Sequence, residues 1–267
     1  MTVGAAIPVA LGIVGNAMSV FSYCSTIPTF WRIVKKKSVE GFSDHPYLFS
    51  LLNGLLWTFY GYLTLRRGGL FLLTVNAIGC AFQYAYLAFY ILFATTHKQR
   101  MITGTSTGIV HLLFLMMVIL VKFFLKQYSI QLRVMGTMSC MAAIVMYGAP
   151  LSIMATVIYT KSVEYMPFLL SLALTLRSGT WCAFGYVTHD IYVEVTNTIG
   201  VLLGVSQLIL YTIYCKKTPR NVLKTDTMIP ADMEACRNTH GLHNSVNINK
   251  PKDFAGNPHD TINKGET

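Results

Sequence analysis

Two asparagines and two tryptophans carry the clearest chemical signal in these 267 residues. Trp57 and Trp181 stand 124 positions apart, and Asn76 and Asn197 stand 121 apart. Carboxamides supply hydrogen-bond donors and acceptors, and indoles supply flat apolar faces, so two of each converging on one place would suit a central pocket for a small polar ligand. One helical turn before each tryptophan lie Asn53 and Arg177, again 124 apart, and i, i+4 geometry puts them on the indoles' face. A charge in the middle of an apolar segment is expensive enough to imply function. No H-E-x-x-H, G-x-S-x-G or clustered carboxylate motif occurs, so no enzyme, metal or cofactor is expected.

Each residue taken singly admits a structural role. A buried Asn can join neighbouring helices, a membrane Trp can belong to the interfacial belt, and an Arg can snorkel or bond helix carbonyls. The spacing favours the pocket, because it recurs. Lys37-Ser38-Val39-Glu40 returns as Lys161-Ser162-Val163-Glu164, Gly61 as Gly185, and, after a slip of three, Gly79 as Gly200 and Tyr90 as Tyr211. An ordered series of this kind marks an internal duplication.

The elements that must position these residues are membrane helices. The chain is 53% hydrophobic and only 12% charged, too apolar for a soluble domain. Seven runs of about 20 residues or more could cross a bilayer: 7–30, 45–65, 70–93, 105–125, 135–159, 165–187 and 192–214. No basic residue precedes the first, so it is expected to stay as a helix rather than be cleaved. The copies comprise spans one to three and five to seven. Span four restores parallel orientation between them, as in parallel-repeat transporters. The sequence therefore predicts an all-α membrane protein, with seven transmembrane helices arranged as two parallel three-helix bundles joined by a linker helix (3+1+3). Its expected divisions are 1–96, 97–130 for the linker helix, 131–215, and a disordered cytosolic tail over 216–267.

The net charge of +10 does not imply a nucleic acid, because the bases lie in short loops and not on one face. Arg32, Lys35, Lys36, Lys37, Lys98, Arg100, Lys161, Lys216 and Lys217 outnumber the bases of the opposite loops, which puts the C-terminus in the cytosol and the N-terminus outside. The six cysteines, five at or within spans and Cys236 in the tail, form no recognisable disulfide or metal pattern.

Gly-x-x-Gly-Asn at Gly12–Asn16, Pro28-Thr29-Phe30, Tyr60-Gly61, Ala149-Pro150-Leu151-Ser152, the run Thr160–Phe168 and Gln207–Tyr211 together resemble the SWEET sugar transporters, the plant branch in particular, over roughly Gly12 to Cys215. The resemblance implies passive, bidirectional movement of mono- or disaccharides, with Asn76, Asn197, Trp57 and Trp181 at the sugar-binding positions. It also implies four proline hinges in the first two helices of each repeat. Pro46, Pro150 and Pro167 match three; the fourth falls at Thr26, with Pro28 two residues on as a shifted hinge. The bland alternative for Pro46 and Pro167 is that they mark helix ends. Tyr60 and Asp190 resemble gate residues, a solvated loop Asp being the alternative. Arg177 departs from the family's Asn or Ser, and together with Met146 it would narrow the cavity and favour a hexose over sucrose.

The five acids outside the tail, Glu40, Asp44, Glu164, Asp190 and Glu194, all fall at span ends or in loops, which favours facilitated diffusion over ion coupling. The expected partners are a sugar, the lipid bilayer and further copies of the chain as a homo-oligomer. The expected location is the plasma membrane, with the vacuolar or Golgi membrane as alternatives. A seven-helix receptor, or a carrier of another small solute, remains the competing class.

Overall fold

The computed structural model describes residues 3–39, 43–163 and 166–215. Glu40, Glu164, Tyr165 and the expected tail, with Lys216, Lys217 and Cys236, lie outside the described residues. The described residues hold helices and no strand: α1 (Val3–Cys24), α2 (Ile27–Lys36), α3 (His45–Leu63), α4 (Leu70–Phe93), α5 (His97–Ile119), α6 (Tyr128–Met146), α7 (Gly148–Thr160), α8 (Phe168–Thr188) and α9 (Ile191–Tyr214). The first expected span is α1 and α2, broken at Ser25 and Thr26, and the fifth is α6 and α7, broken at Tyr147.

Five stretches are long and apolar enough to cross a membrane: Ala6–Cys24, Leu70–Phe93, His97–Phe124, Tyr128–Thr160 and Ile191–Tyr214. α3 and α8, which correspond to the expected runs 45–65 and 165–187, are not among these five. Their 19 and 21 residues give each a length of roughly 30 Å, enough to span. Polar and aromatic residues, among them Asn53, Trp57, Arg177 and Trp181 on a face turned to the interior, lower their hydropathy. A helix shielded by its neighbours need not be apolar all round.

The packing follows the duplication. α3 packs on α4 as α8 packs on α9; α1 packs on α8 as α6 packs on α3. α1 meets α4 as α6 meets α9, and α2 meets α4 as α7 meets α9. α5 stands outside this pattern and lies against α3 and α4. It starts at a capping box in which Gln99 N–H donates to Thr96 Oγ1 and Thr96 N–H donates to Gln99 Oε1, an arrangement worth about 1 kcal/mol.

Close approach at glycine repeats as well. A Cβ on Gly61 would lie 2.6 Å from the backbone nitrogen of Leu73, and one on Gly185 would lie 2.5 Å from that of Glu194. A Cβ on Gly79 would meet Tyr23 Oη at 2.7 Å, and one on Gly200 would meet Tyr147 Oη at 3.0 Å. The interval of 124 relates Gly61 to Gly185 and Tyr23 to Tyr147, and 121 relates their neighbours. Small residues let membrane helices approach this closely. Lys37 and Lys161, which open the two Lys-Ser-Val motifs, both cap a helix in the left-handed conformation, at φ 50° and 57°.

Pro8 lies inside α1, but the prolines expected as hinges lie at helix starts. Pro28 and Pro46 fall at the first positions of α2 and α3, Pro150 is the third residue of α7, and Pro167 is the N-cap of α8. The first N–H groups of a helix have no intrahelical acceptor, so proline loses nothing there. Spans one and five therefore break at their prolines, whereas α3 and α8 begin at theirs.

Candidate functional site

A cavity of about 330 Å³ lies between the two sets of helices. Its walls are the same positions of both copies. From α3 come Pro46, Ser50, Asn53 and Trp57, and from α8 their equivalents Leu174, Arg177 and Trp181 with Leu170. These recur at steps of three and four, one face of a helix. From α1 and the break after it come Ser19, Ser22, Tyr23 and Thr26, and from α6 and α7 come Ala143, Met146, Tyr147 and Pro150. α4 supplies Asn76 and Tyr86, and α9 supplies Asn197 and Gln207.

All seven residues expected to bind a ligand, Asn53, Trp57, Asn76, Met146, Arg177, Trp181 and Asn197, line this one cavity. So do Thr26, Pro46 and Pro150, whereas Pro28, Pro167, Tyr60 and Asp190 do not. Asn76 Nδ2 donates to the Leu72 carbonyl and Asn197 Nδ2 to the Val193 carbonyl, both at 2.8 Å. The two carboxamides are thus held in matching poses, each keeping its oxygen and second amide hydrogen for a ligand.

The indoles are both buried but are not equivalent. Trp181 Nε1 donates to Ser19 Oγ at 3.2 Å, and Ser19 Oγ donates to the Gly15 carbonyl at 2.7 Å. The position equivalent to Ser19 is Ala143, which has no hydroxyl to offer Trp57. Both indoles lie edge-on to the ring three residues on, Trp57 to Tyr60 at 5.6 Å and Trp181 to Phe184 at 5.3 Å between centroids.

One helical turn beyond Trp57 on α3, a bond joins the two copies. Tyr60 Oη lies 2.9 Å from each carboxylate oxygen of Asp190. Asp190 Oδ1 also accepts from the backbone N–H groups of Tyr192 and Val193, both at 3.2 Å, and so caps α9. Burial pushes the Asp190 carboxyl above the ordinary carboxylate range. The Tyr60 hydroxyl, the N–H groups of Val193 and Tyr192 and the charge of Arg67 pull it part of the way back. Asp190 is therefore an enclosed helix cap rather than a solvated loop acid. Asp44, another of the five expected span-end or loop acids, is buried, and Thr103 Oγ1 of α5 donates to it at 2.6 Å.

The opposite end of the cavity, lined by Pro46, Leu170 and Gln207, points toward the loops that carry Lys37 and Lys161. Here the break between α1 and α2 is held by hydroxyls: Tyr86 Oη lies 2.8 Å from the Tyr23 carbonyl oxygen and 2.9 Å from Thr26 Oγ1. Ser25 Oγ donates to the Ser22 carbonyl at 2.6 Å. Carbonyls freed by the break thus find side-chain donors. The tyrosine pair 23 and 147 was not singled out from sequence, although the interval of 124 connects it. Tyr147 Oη donates to the Thr196 carbonyl at 2.7 Å, and the charge of Arg177 acts on both phenols.

The lining holds hydrogen-bonding groups, two indoles and one guanidinium, but no carboxylate, histidine or cysteine. No cluster among the described residues could hold a metal ion. Such a site can bind and release a small polar molecule, and it lacks an activated nucleophile or an acid–base pair.

Known proteins agree with this reading of the molecule. The family described as "Sugar efflux transporter for intercellular exchange" matches residues 9–99 and 133–219, blocks that begin 124 positions apart. The bidirectional sugar transporter SWEET14 of Arabidopsis thaliana is 40% identical over 219 residues, which covers 82% of this chain and 77% of that protein. The bidirectional sugar transporter SWEET1b of Oryza sativa subsp. indica is 40% identical over 203 residues, covering 76% of this chain and 77% of that one. A eukaryotic SWEET transporter solved at 3.7 Å resolution superposes with a TM-score of 0.77 at 36% identity, over 80% of this chain and 100% of that one. The chain is a multi-pass membrane protein, and it belongs to the SWEET family of sugar transporters.

Proposed function

We propose that this chain carries a hexose-sized sugar across a membrane by facilitated, bidirectional alternating access, with the central cavity as its binding site. The observation that carries this reading is the cavity itself. It is walled by the paired positions Asn76 and Asn197, Trp57 and Trp181, and Asn53 and Arg177, and the Tyr60–Asp190 bond beyond Trp57 supports a gate at that end. At about 330 Å³ it sits at the small end of ligand pockets. Met146 and Arg177 take up room in it, which favours a hexose over a disaccharide. The absence of a carboxylate from its lining supports a uniporter rather than a proton- or sodium-coupled carrier.

In this reading the protein is two parallel three-helix units, 1–96 and 131–215, with α5 as the linker helix within 97–130. The paired helix contacts support that division. The breaks at Thr26 with Pro28 and at Pro150, and the helix starts at Pro46 and Pro167, are where the units flex. The arrangement described corresponds to a carrier closed on the side of Asp190 and facing the side of Lys37 and Lys161, the cytosol by the positive-inside rule. The protein works in the plasma membrane as a homo-oligomer.

The test is uptake and efflux of labelled glucose, fructose, galactose and sucrose in proteoliposomes containing only this protein. Equilibration of a hexose in both directions, indifferent to uncouplers, is expected. Movement of sucrose alone, or uncoupler-sensitive accumulation, overturns the reading.

A further inference from the structure

Arg177 is the one charged side chain in the lining of the cavity. Its Nε is buried, and no described residue accepts a hydrogen bond from it. A guanidinium is always charged and presents a fixed fork of donors that matches a carboxylate. Placing it half-buried in a membrane cavity without an acid beside it is costly, and charges in such places serve as counter-ions to ligands. Tyr23 and Tyr147, which line the same cavity, are phenols and cannot compensate its charge.

The opposite wall differs in kind. Asn53, the repeat equivalent of Arg177, has a buried Oδ1 without a partner, and Gln83 Oε1 is in the same condition. Both line the cavity, as do the hydroxyls of Ser22 and Ser50. Their equivalents in the second copy are Met146 and Leu174. The wall of the first copy therefore offers unpartnered neutral acceptors suited to sugar hydroxyls, and that of the second offers a cation, with Met146 and Leu174 where the first has hydroxyls. A neutral hexose satisfies the first and leaves the second uncompensated.

We propose that the cavity prefers a hexose-sized ligand bearing one carboxylate, a uronate or an aldonate, whose anionic end pairs with Arg177 while its ring hydroxyls face Asn53. This rests on the sugar-carrier reading and narrows its substrate class. Because the bound species is a monoanion, its passive movement carries charge, and 100 mV across the membrane displaces its equilibrium distribution by about 50-fold.

The test compares glucuronate, its neutral near-isostere glucuronamide, and glucose, by calorimetric binding to the full chain and by flux in proteoliposomes. Wild-type protein is expected to bind glucuronate at least tenfold more tightly than glucuronamide, with R177K keeping part of that ratio and R177N reducing it to about one. Glucuronate, but not glucose, is expected to redistribute with a valinomycin-set potential, relative to liposomes without protein. A wild-type ratio near one overturns the preference even if R177N fails to fold, and so does glucuronate movement indifferent to potential. If glucose still binds and moves, the sugar-carrier reading stands without it. If no sugar of any kind binds, that reading falls, and the preference with it.

Discussion

Tyr60 of α3 and Asp190 at the start of α9 hold each other across the two copies, with the phenol oxygen 2.9 Å from both carboxylate oxygens. This bond has no repeat equivalent, because the matching positions are Phe184 and Gly69. The two copies are therefore tied together beyond Trp57 by a hydrogen bond that the duplication did not supply, and in the proposed transport cycle that bond is the latch of one end.

Removing the phenol should loosen the latch. A hydrogen bond to a charged group contributes about 1.5–3 kcal/mol, so Tyr60→Phe is expected to shift the closed arrangement toward the open one by roughly 10- to 100-fold. Asp190→Ala also removes the cap of α9, worth about 1 kcal/mol more, and should additionally lower the melting temperature. Distances between spin labels flanking Tyr60 and Asp190, with thermal unfolding in detergent, check both.

The same latch should respond to pH. Burial raises the Asp190 carboxyl above its ordinary value of 3.8, so closure favours the protonated form. Below 3.8 the carboxyl is protonated whether open or closed, and closure keeps its full advantage. As pH rises through the higher value set by burial, the closed arrangement must also ionise the buried group and loses ground. The open population is expected to grow with pH across that window in the wild type and to be flat in Asp190→Asn. A fall of the open population with rising pH would contradict the burial argument.

Asn76 and Asn197 should separate binding from stability. Each carboxamide bonds only a carbonyl of its own helix, so Asn76→Ala and Asn197→Ala remove a ligand contact without unpicking helix packing. Loss of about 1–1.5 kcal/mol weakens sugar binding by roughly tenfold in each variant, with the melting temperature nearly unchanged. A large drop in melting temperature would assign these residues to packing instead.

Glycines give a contrast within one protein. At Gly61 and Gly185 an added methyl meets backbone atoms at 2.6 and 2.5 Å, which no rotamer change relieves, so alanine at either place is expected to cost about 1–3 kcal/mol. Gly104 and Gly108 on α5 have nothing within 4 Å. Alanine there should be neutral, or stabilising by up to about 1 kcal/mol. Thermal unfolding of the four variants ranks them.

Much of the cavity was legible before any coordinates, because duplication makes sequence position report on space. Trp57, Trp181, Asn53, Arg177, Asn76 and Asn197 all reached one place, as their intervals implied. Tyr23, Tyr147, Ser19 and Gln207 also line the cavity and were missed. Tyrosine and serine in apolar helices are too common to draw notice, although the interval of 124 links the tyrosines.

Proline was the other limit. The residue type signals a break but does not say whether that break divides a span, as at Pro150, or starts one, as at Pro46. The intervening loop decides that. Likewise the hydropathy of a run does not tell how much polarity a helix such as α3 or α8 can carry, since that depends on which neighbours cover it.

Ser19 and Ala143 occupy the same seat in the two copies, and only the serine engages an indole. A perfectly twofold chamber would accept a ligand equally well turned end for end, and each passage would scramble its heading. Here the serine lifts that degeneracy, and a sugar bound in the chamber is expected to keep one heading whichever side it came from. Substituents on a given end of the sugar should therefore be tolerated or refused identically for inward and outward traffic.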